Sequence, residues 1–182
     1  MPRPRRACTR NISRAHEVAM DTAAGFSDQG VRELGVADLA RVSDIDRALS
    51  GRARRHFFEK RLAVAARRPE DYVHLGIARG GALRGFVMAH VLRGEFGRAQ
   101  AVGVLDALGV EPQSQERGIG QALLHELAAV LRRKGVDTLQ SEAAWTDHDL
   151  MRFLDAAGFE LASRFALERS ATEPLAESIE EV

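Results

Sequence analysis

The chain reads as a single domain of the α+β class, on three observations. The apolar runs Tyr72–Arg79, Leu83–Arg93 and Ala99–Val110 follow one another through glycine-bearing turns, the pattern of an antiparallel meander. Two helical segments precede this meander, and the most strongly periodic helix of the chain, Ile119–Lys134, follows it directly. A strand, a helix and a last strand then close the sequence. Together these predict a mostly antiparallel central sheet flanked by helices.

Each element has its own warrant. Val31–Leu34 is a first short strand. In Val36–Leu49 the residues Leu39, Val42, Ile45, Asp46 and Leu49 mark helical spacing, and Gly51 interrupts it. Arg52–Arg68 is a second helix that turns Phe57, Phe58, Leu62 and Ala65 toward a core, and Pro69 stops it. Gly80-Gly81 suits a tight hairpin, and Gly94-Glu95-Phe96-Gly97 makes the next turn. In Ile119–Lys134, Leu123, Leu124, Leu127 and Leu131 form one stripe. Arg132, Arg133 and Lys134 suit its negative end, and Gly135 falls where a left-handed cap would be. Val136–Ala143 is a strand candidate, Asp147–Ala157 a short helix ended by Gly158, and Phe159–Glu168 the last strand. Thr146-x-x-Asp149 reads as a capping box for that helix.

The composition bounds the function. A length of 182 residues with zero formal net charge fits one domain with tails. No stretch approaches the ~20 apolar residues of a membrane span. The one cysteine, Cys8, excludes an intrachain disulfide and a cysteine-based zinc site, and no metal is expected. These features suggest a cytoplasmic protein. Only Lys60 and Lys134 are lysines among the 26 basic residues, a bias of a GC-rich, bacterial genome. Balanced acids weigh against nucleic acid as a partner. Residues 1–28 carry Arg3, Arg5, Arg6, Arg10 and Arg14 without an apolar period and predict a disordered extension. Residues 29–170 would form the domain. Residues 171–182, with Glu173, Glu177, Glu180 and Glu181, read as an acidic tail.

The most informative stretch is Gln115-Glu116-Arg117-Gly118-Ile119-Gly120, between an apolar run ending at Val110 and the Ile119–Lys134 helix. The first N–H groups of a helix lack intrahelical partners and carry partial positive charge, so they suit an anion. Gly118 and Gly120 let a phosphate approach without meeting a Cβ. No Lys-Ser/Thr pair follows, so this is not a Walker A loop, and G-x-G-x-x-G is not met.

The Q-x-x-G-x-G sequence in this position resembles the acetyl-CoA pyrophosphate loop of the GNAT superfamily of N-acetyltransferases. The element order β-α-α-β-β-β-α-β-α-β is that of a GNAT domain, and Ala156-Ala157-Gly158-Phe159 resembles the family's helix-to-strand junction. The resemblance covers about Val31–Arg169. It implies a mixed, mostly antiparallel GNAT sheet, acetyl-CoA as co-substrate and an amine acceptor. By the same resemblance, Leu108, Gly109 and Val110 would pair with the pantetheine arm, and a backbone amide among them would polarise the thioester carbonyl. Gln115, Glu116, Arg117, Gly118, Ile119, Gly120 and Gln121 would receive the pyrophosphate. Asp147 falls where many members have an asparagine that touches the arm.

Acetyl transfer to an amine needs a base, because the amine must be neutral when it attacks. Glu142 matches, by its distance from Gly158-Phe159, a glutamate used as base in ribosomal-protein N-terminal acetyltransferases. Asp106 lies among Val104, Leu105, Ala107 and Leu108, where a carboxylate is costly unless paired or facing a cleft. It is either a site residue or half of a salt bridge. Glu95 and His148 are weaker candidates. Where many members have a tyrosine that protonates the leaving thiolate, this chain has Leu154. A thiol pKa near ~8.5 still makes the thiolate an acceptable leaving group. The acceptor side would include Asp44, Asp46, Ser50, Arg52, Arg54, Arg55 and His56. Two readings stand: an N-acetyltransferase acting on a protein, peptide or small-molecule amine, or a catalytically silent acyl-CoA-binding domain. Pairing of C-terminal strands, common in the family, would make a homodimer.

Overall fold

The computed structural model describes residues 30–97, 99–115, 117–164 and 166–172. They divide into two compact units, one ending at Ala144 and one beginning at Trp145. The first holds a five-stranded sheet whose spatial order is the chain order: β1 (Val31–Glu33), β2 (Tyr72–Arg79), β3 (Ala82–Leu92), β4 (Val102–Val110) and β5 (Leu139–Gln140). β1 to β4 pair antiparallel. β5 runs parallel to β4 through only two pairs, Gly103↔Leu139 and Val104↔Gln140. The sheet is therefore mixed and mostly antiparallel, as expected.

Three helices cover this sheet: α1 (Leu39–Ser50), α2 (Arg55–Arg67) and α3 (Ile119–Arg133). On one face, Val42 and Ile45 of α1 and Phe58 and Leu62 of α2 pack with Phe86 and Met88 of β3. On the other face lies the leucine stripe of α3. A Cβ built on Gly85 would come within 2.8 Å of Ile119, and one on Gly103 within 2.8 Å of Leu131. Each large, fully buried side chain of this kind contributes about 1.5–3 kcal/mol. The alternation of β3 thus serves two cores, with Phe86 and Met88 toward α1 and α2 and their neighbours toward α3.

Several expected boundaries shift for local reasons. The first helix begins as a 3₁₀ turn, Val36–Asp38, because the Gly35 N–H is taken by the Asp38 carboxylate at 3.0 Å. The second begins at Arg55 rather than Arg52, since Gly51 and the three residues after it form the α1–α2 connection. The strand expected over Val136–Ala143 is only Leu139–Gln140. The Val136 N–H instead closes the end of α3 by bonding the Leu131 carbonyl at 3.0 Å, and Val136 is buried there. The second unit contains α4 (His148–Ala156). Residues 159–168, expected as a strand, form none among those described, and Leu161 and Leu167 are 86% and 93% exposed. The apolar alternation there made a strand pattern without supplying the cross-strand contacts that stabilise one. The Arg-rich extension and residues 173–182 lie outside the described residues.

Glu111 ties the end of β4 to both neighbours. Its carboxylate accepts hydrogen bonds from Arg41 of α1 and from Arg84 of β3, the latter at 2.6 Å. These two guanidinium groups, Arg84 foremost, hold its pKa down to about 2. On the α3 side, Lys134 donates to the Pro69 carbonyl at 2.7 Å. Glu111→Gln is expected to lower stability at pH 7 by about 1 kcal/mol, since the pair is partly solvated. A carboxylate with a depressed pKa stabilises above its unfolded value and loses that contribution as pH falls toward about 2. Thermal unfolding should therefore separate the two proteins at pH 7 and bring them together in acid. Equal midpoints at pH 7 would show that Glu111 contributes nothing.

Candidate active site

β4 is the strand on which the site is built. Past Val104 it leaves β5, so from Leu105 to Val110 its outer edge has no strand partner among the described residues. That edge offers backbone N–H and C=O groups to a ligand able to add as a strand. Leu108, Gly109 and Val110 lie on it. Gly109 is a close approach: a Cβ there would stand 2.6 Å from the Phe86 ring and 3.2 Å from Leu49. Any larger residue would push α1 off the strand.

The loop after β4 begins with a 3₁₀ turn, Pro112–Ser114. The Gln115 side-chain amide donates to the Val110 carbonyl at 3.3 Å and so folds the loop back on its strand. Gly118 is the N-cap of α3 with φ 72° and ψ 5°, a left-handed conformation that disfavours any side chain. The first intrahelical bond runs from the Ala122 N–H to the Gly118 carbonyl at 2.9 Å. The amides of Ile119, Gly120 and Gln121 therefore precede the ladder and have no acceptor one turn back. Glu116 lies outside the described residues. Arg117 lines a cleft of about 390 Å³ together with Arg79, Gly80, Arg84, Gln113 and Ser114.

Asp106 occupies a β-bulge. Met88 pairs with Ala107 and Ala89 with Leu105, which leaves Asp106 as the extra residue on β4. The bulge turns its carboxylate to the α2 face. There Oδ1 accepts from Arg61 Nη2 and from His90 Nδ1, each at 2.9 Å. The side chain is 6% exposed and Oδ2 has no protein partner. The salt-bridge alternative for Asp106 is therefore realised, but inside the fold and beside the open edge of β4. Because a carboxylate accepts, Nδ1 of His90 is the donor here, and in the neutral ring the lone pair then sits on Nε2.

Tyr72 and His74 complete the cluster. Tyr72 pairs with His90 across the β2–β3 ladder, and its ring centroid is 6.3 Å from that of His90 and 5.8 Å from that of His74. His74 is 5% exposed, and neither ring nitrogen has a hydrogen-bond partner among the described residues. Burial pushes its pKa down to about 4, against a pull upward from Asp106, with Arg61 and His90 also lowering it. Sequence reasoning missed Arg61, His74 and His90. The available signal was Tyr72-x-His74, two polar rings on one side of an apolar strand, with a histidine in the next strand.

The remaining candidates are placed as follows. Glu142 lies exposed just beyond β5, and Glu95 in an exposed 3₁₀ turn. Asp46 is buried and held by Arg54, and Asp44 pairs with Arg47 at 3.1 Å. In the second unit, Asp147 is the N-cap of α4 and accepts from the Leu150 N–H at 3.1 Å. This replaces the expected capping box from Thr146, because the helix starts at His148 and puts Asp147 in the capping position. His148 and Trp145 are exposed and Leu154 is buried.

β4, bulged and open along one edge, runs into a glycine-capped helix, and the comparisons identify the family in which this arrangement stands. The profile of the acetyltransferase (GNAT) family matches residues 39–159. The chain belongs to that family and is an acetyltransferase. Among solved structures, the aminoglycoside N-acetyltransferase AAC(6')-Iy in complex with CoA is 16% identical with a TM-score of 0.67, over 79% of this chain and 95% of that one. Glucosamine-6-phosphate N-acetyltransferase from Arabidopsis thaliana is 13% identical with a TM-score of 0.60, over 79% and 99% of the two chains. Ribosomal-protein-alanine N-acetyltransferase from Brucella melitensis biovar Abortus 2308 is 19% identical with a TM-score of 0.61, over 78% and 99%. No curated protein matches the sequence. Among the described residues no helix is long and apolar enough to cross a membrane, and no cluster of side chains could hold a metal ion.

His74 generates a prediction of its own. The unfolded chain binds a proton at this residue below its ordinary pKa of about 6.5, and the folded chain only below about 4. Stability should thus fall as pH drops from about 6.5 to 4, by up to about 3 kcal/mol. His74→Leu removes the two unpartnered nitrogens and should be no less stable than the wild type at pH 7. Its unfolding midpoint should also fall less between pH 7 and pH 4.5. Parallel loss in both proteins would show that His74 is not buried neutral.

Proposed function

We propose that the protein transfers an acetyl group from acetyl-CoA to a primary amine of a protein, peptide or small molecule by direct attack. The observation that carries this reading is the unpaired edge of β4 running into the Gly118-capped start of α3. Leu108, Gly109 and Val110 would pair with the pantetheine arm, with one of their amides on the thioester carbonyl. Gln115, Gly118, Ile119, Gly120 and Gln121 would receive the pyrophosphate through backbone N–H groups, with Arg117 adding charge.

In the reaction the amine nitrogen adds to the thioester carbon, the C–S bond breaks, and CoA leaves as the thiolate. The proton lost by the amine needs an acceptor. Asp106 fixes the tautomer of His90, and Nε2 of His90 is the proposed base. Glu142 is the alternative. It is exposed, and no hydrogen bond from a described residue orients it. A second reading, acyl-CoA binding without turnover, is favoured by Leu154 where a tyrosine acid would stand.

Calorimetric titration with acetyl-CoA should give micromolar binding, and Gly118→Glu should abolish it by placing a side chain and a negative charge in the phosphate site. Unchanged affinity in the variant would remove the loop from the cofactor site. Thiol release in the presence of amines separates turnover from binding alone. His90→Gln should reduce kcat by about 100-fold or more, with cofactor affinity retained. If Glu142→Gln produces that loss and His90→Gln does not, Glu142 is the base.

A further inference from the structure

The α1–α2 pair and its connection, residues 39–68, carry nine basic residues against three acidic ones, in a chain whose net charge is zero. On the face that covers Asp106, each buried carboxylate is already capped by an arginine. Arg54 donates through Nε (3.1 Å) and Nη2 to Asp46, and Arg61 donates through Nη2 to Asp106. Both guanidinium groups also lie against one aromatic ring, with Arg54 Cζ 5.6 Å and Arg61 Cζ 5.4 Å from the Phe57 centroid. A guanidinium has five N–H donors, so most donors of each group remain after these bonds. Arg61 is 27% exposed and Arg54 46%, so both reach solvent. The buried carboxylates and the ring fix the guanidinium planes and lower the entropy cost of using them.

We propose that the acceptor is an amine that also carries a carboxylate or a phosphate, which Arg54 and Arg61 grip beside Phe57. This rests on the N-acetyltransferase reading and narrows its acceptor. One physical argument carries it: planar, anchored guanidinium groups match carboxylate and phosphate oxygens in bidentate geometry. The excess of basic over acidic residues across residues 39–68 disfavours a polycation on the same surface.

The test has two arms. In the first, thiol release at saturating acetyl-CoA compares matched acceptors: ethanolamine with phosphoethanolamine, tyramine with tyrosine, and glucosamine with its 6-phosphate, with an aminoglycoside beside them. The expected kcat/KM is at least about tenfold higher for the anionic member of one pair, which also distinguishes phosphate from carboxylate. Arg61→Lys, which keeps a cation against Asp106 but loses the planar fork, should bring that ratio toward one, mainly through KM. Equal use of neutral members, faster use of the aminoglycoside, or no turnover of any anionic amine would overturn the proposal. In the second arm, inorganic phosphate and acetate are titrated into the protein with and without CoA, while the arginine Nε–H resonances are followed. Shifts confined to Arg54 and Arg61 are expected in the presence of CoA, and their absence at tens of millimolar would equally overturn it. Failure of CoA itself to bind would sink the parent reading, whereas CoA binding without the Arg54 and Arg61 shifts would sink this proposal alone.

Discussion

The brevity of the β4–β5 pairing governs this molecule. Two parallel pairs hold the strands together at Gly103 and Val104, and then β4 follows β3 alone. An unpaired strand edge inside a fold is normally a liability, because its polar backbone groups seek partners. Here the parting of the strands coincides with a bulge at Asp106, which sharpens the local twist of β4 and aims a carboxylate at the α2 face. The open edge, the polar cluster and the loop into α3 all follow from that one departure from regular pairing.

The cluster at the bulge carries a cost that the rest of the fold must meet. Asp106 is taken out of water with one oxygen unpartnered, and His74 is buried with two unpartnered nitrogens. Removing charge from solvent is repaid only by good geometry, so such groups rarely stabilise a domain. The stability comes from the two apolar layers on either side, the α1–α2 face around Phe58 and Phe86 and the α3 stripe. Strained or poorly satisfied groups concentrated at one place, with ordinary packing elsewhere, are what a site built for chemistry produces.

Much of the scaffold was legible in the sequence because it rests on local signals. Tyr72–Arg79 is a strand over the expected residues, Gly80-Gly81 turns it with two positive φ angles, and α3 begins at Ile119 as the loop required. The loop proposed for the pyrophosphate stands out by its glycines and its position. The polar cluster was not, because Arg61, His74, His90 and Asp106 come from four elements, and only the sheet register brings them together. Asp106 alone gave a signal, as a charge in an apolar strand. The last strand failed for the opposite reason: Phe159–Glu168 has the local pattern, but a strand needs a neighbour and the pattern does not name one.

The near absence of lysine acquires a meaning in a family of acetyltransferases. A guanidinium is not nucleophilic at ordinary pH, whereas the ammonium of lysine supplies a reactive amine whenever it loses its proton. Twenty-four of the twenty-six basic side chains are arginine, and of the two lysines Lys134 is engaged with the Pro69 carbonyl. The chain keeps a cationic surface while presenting almost nothing that an activated acetyl group could label. An enzyme so composed is poorly able to modify itself, and its charge pattern is insulated from the chemistry of its own family.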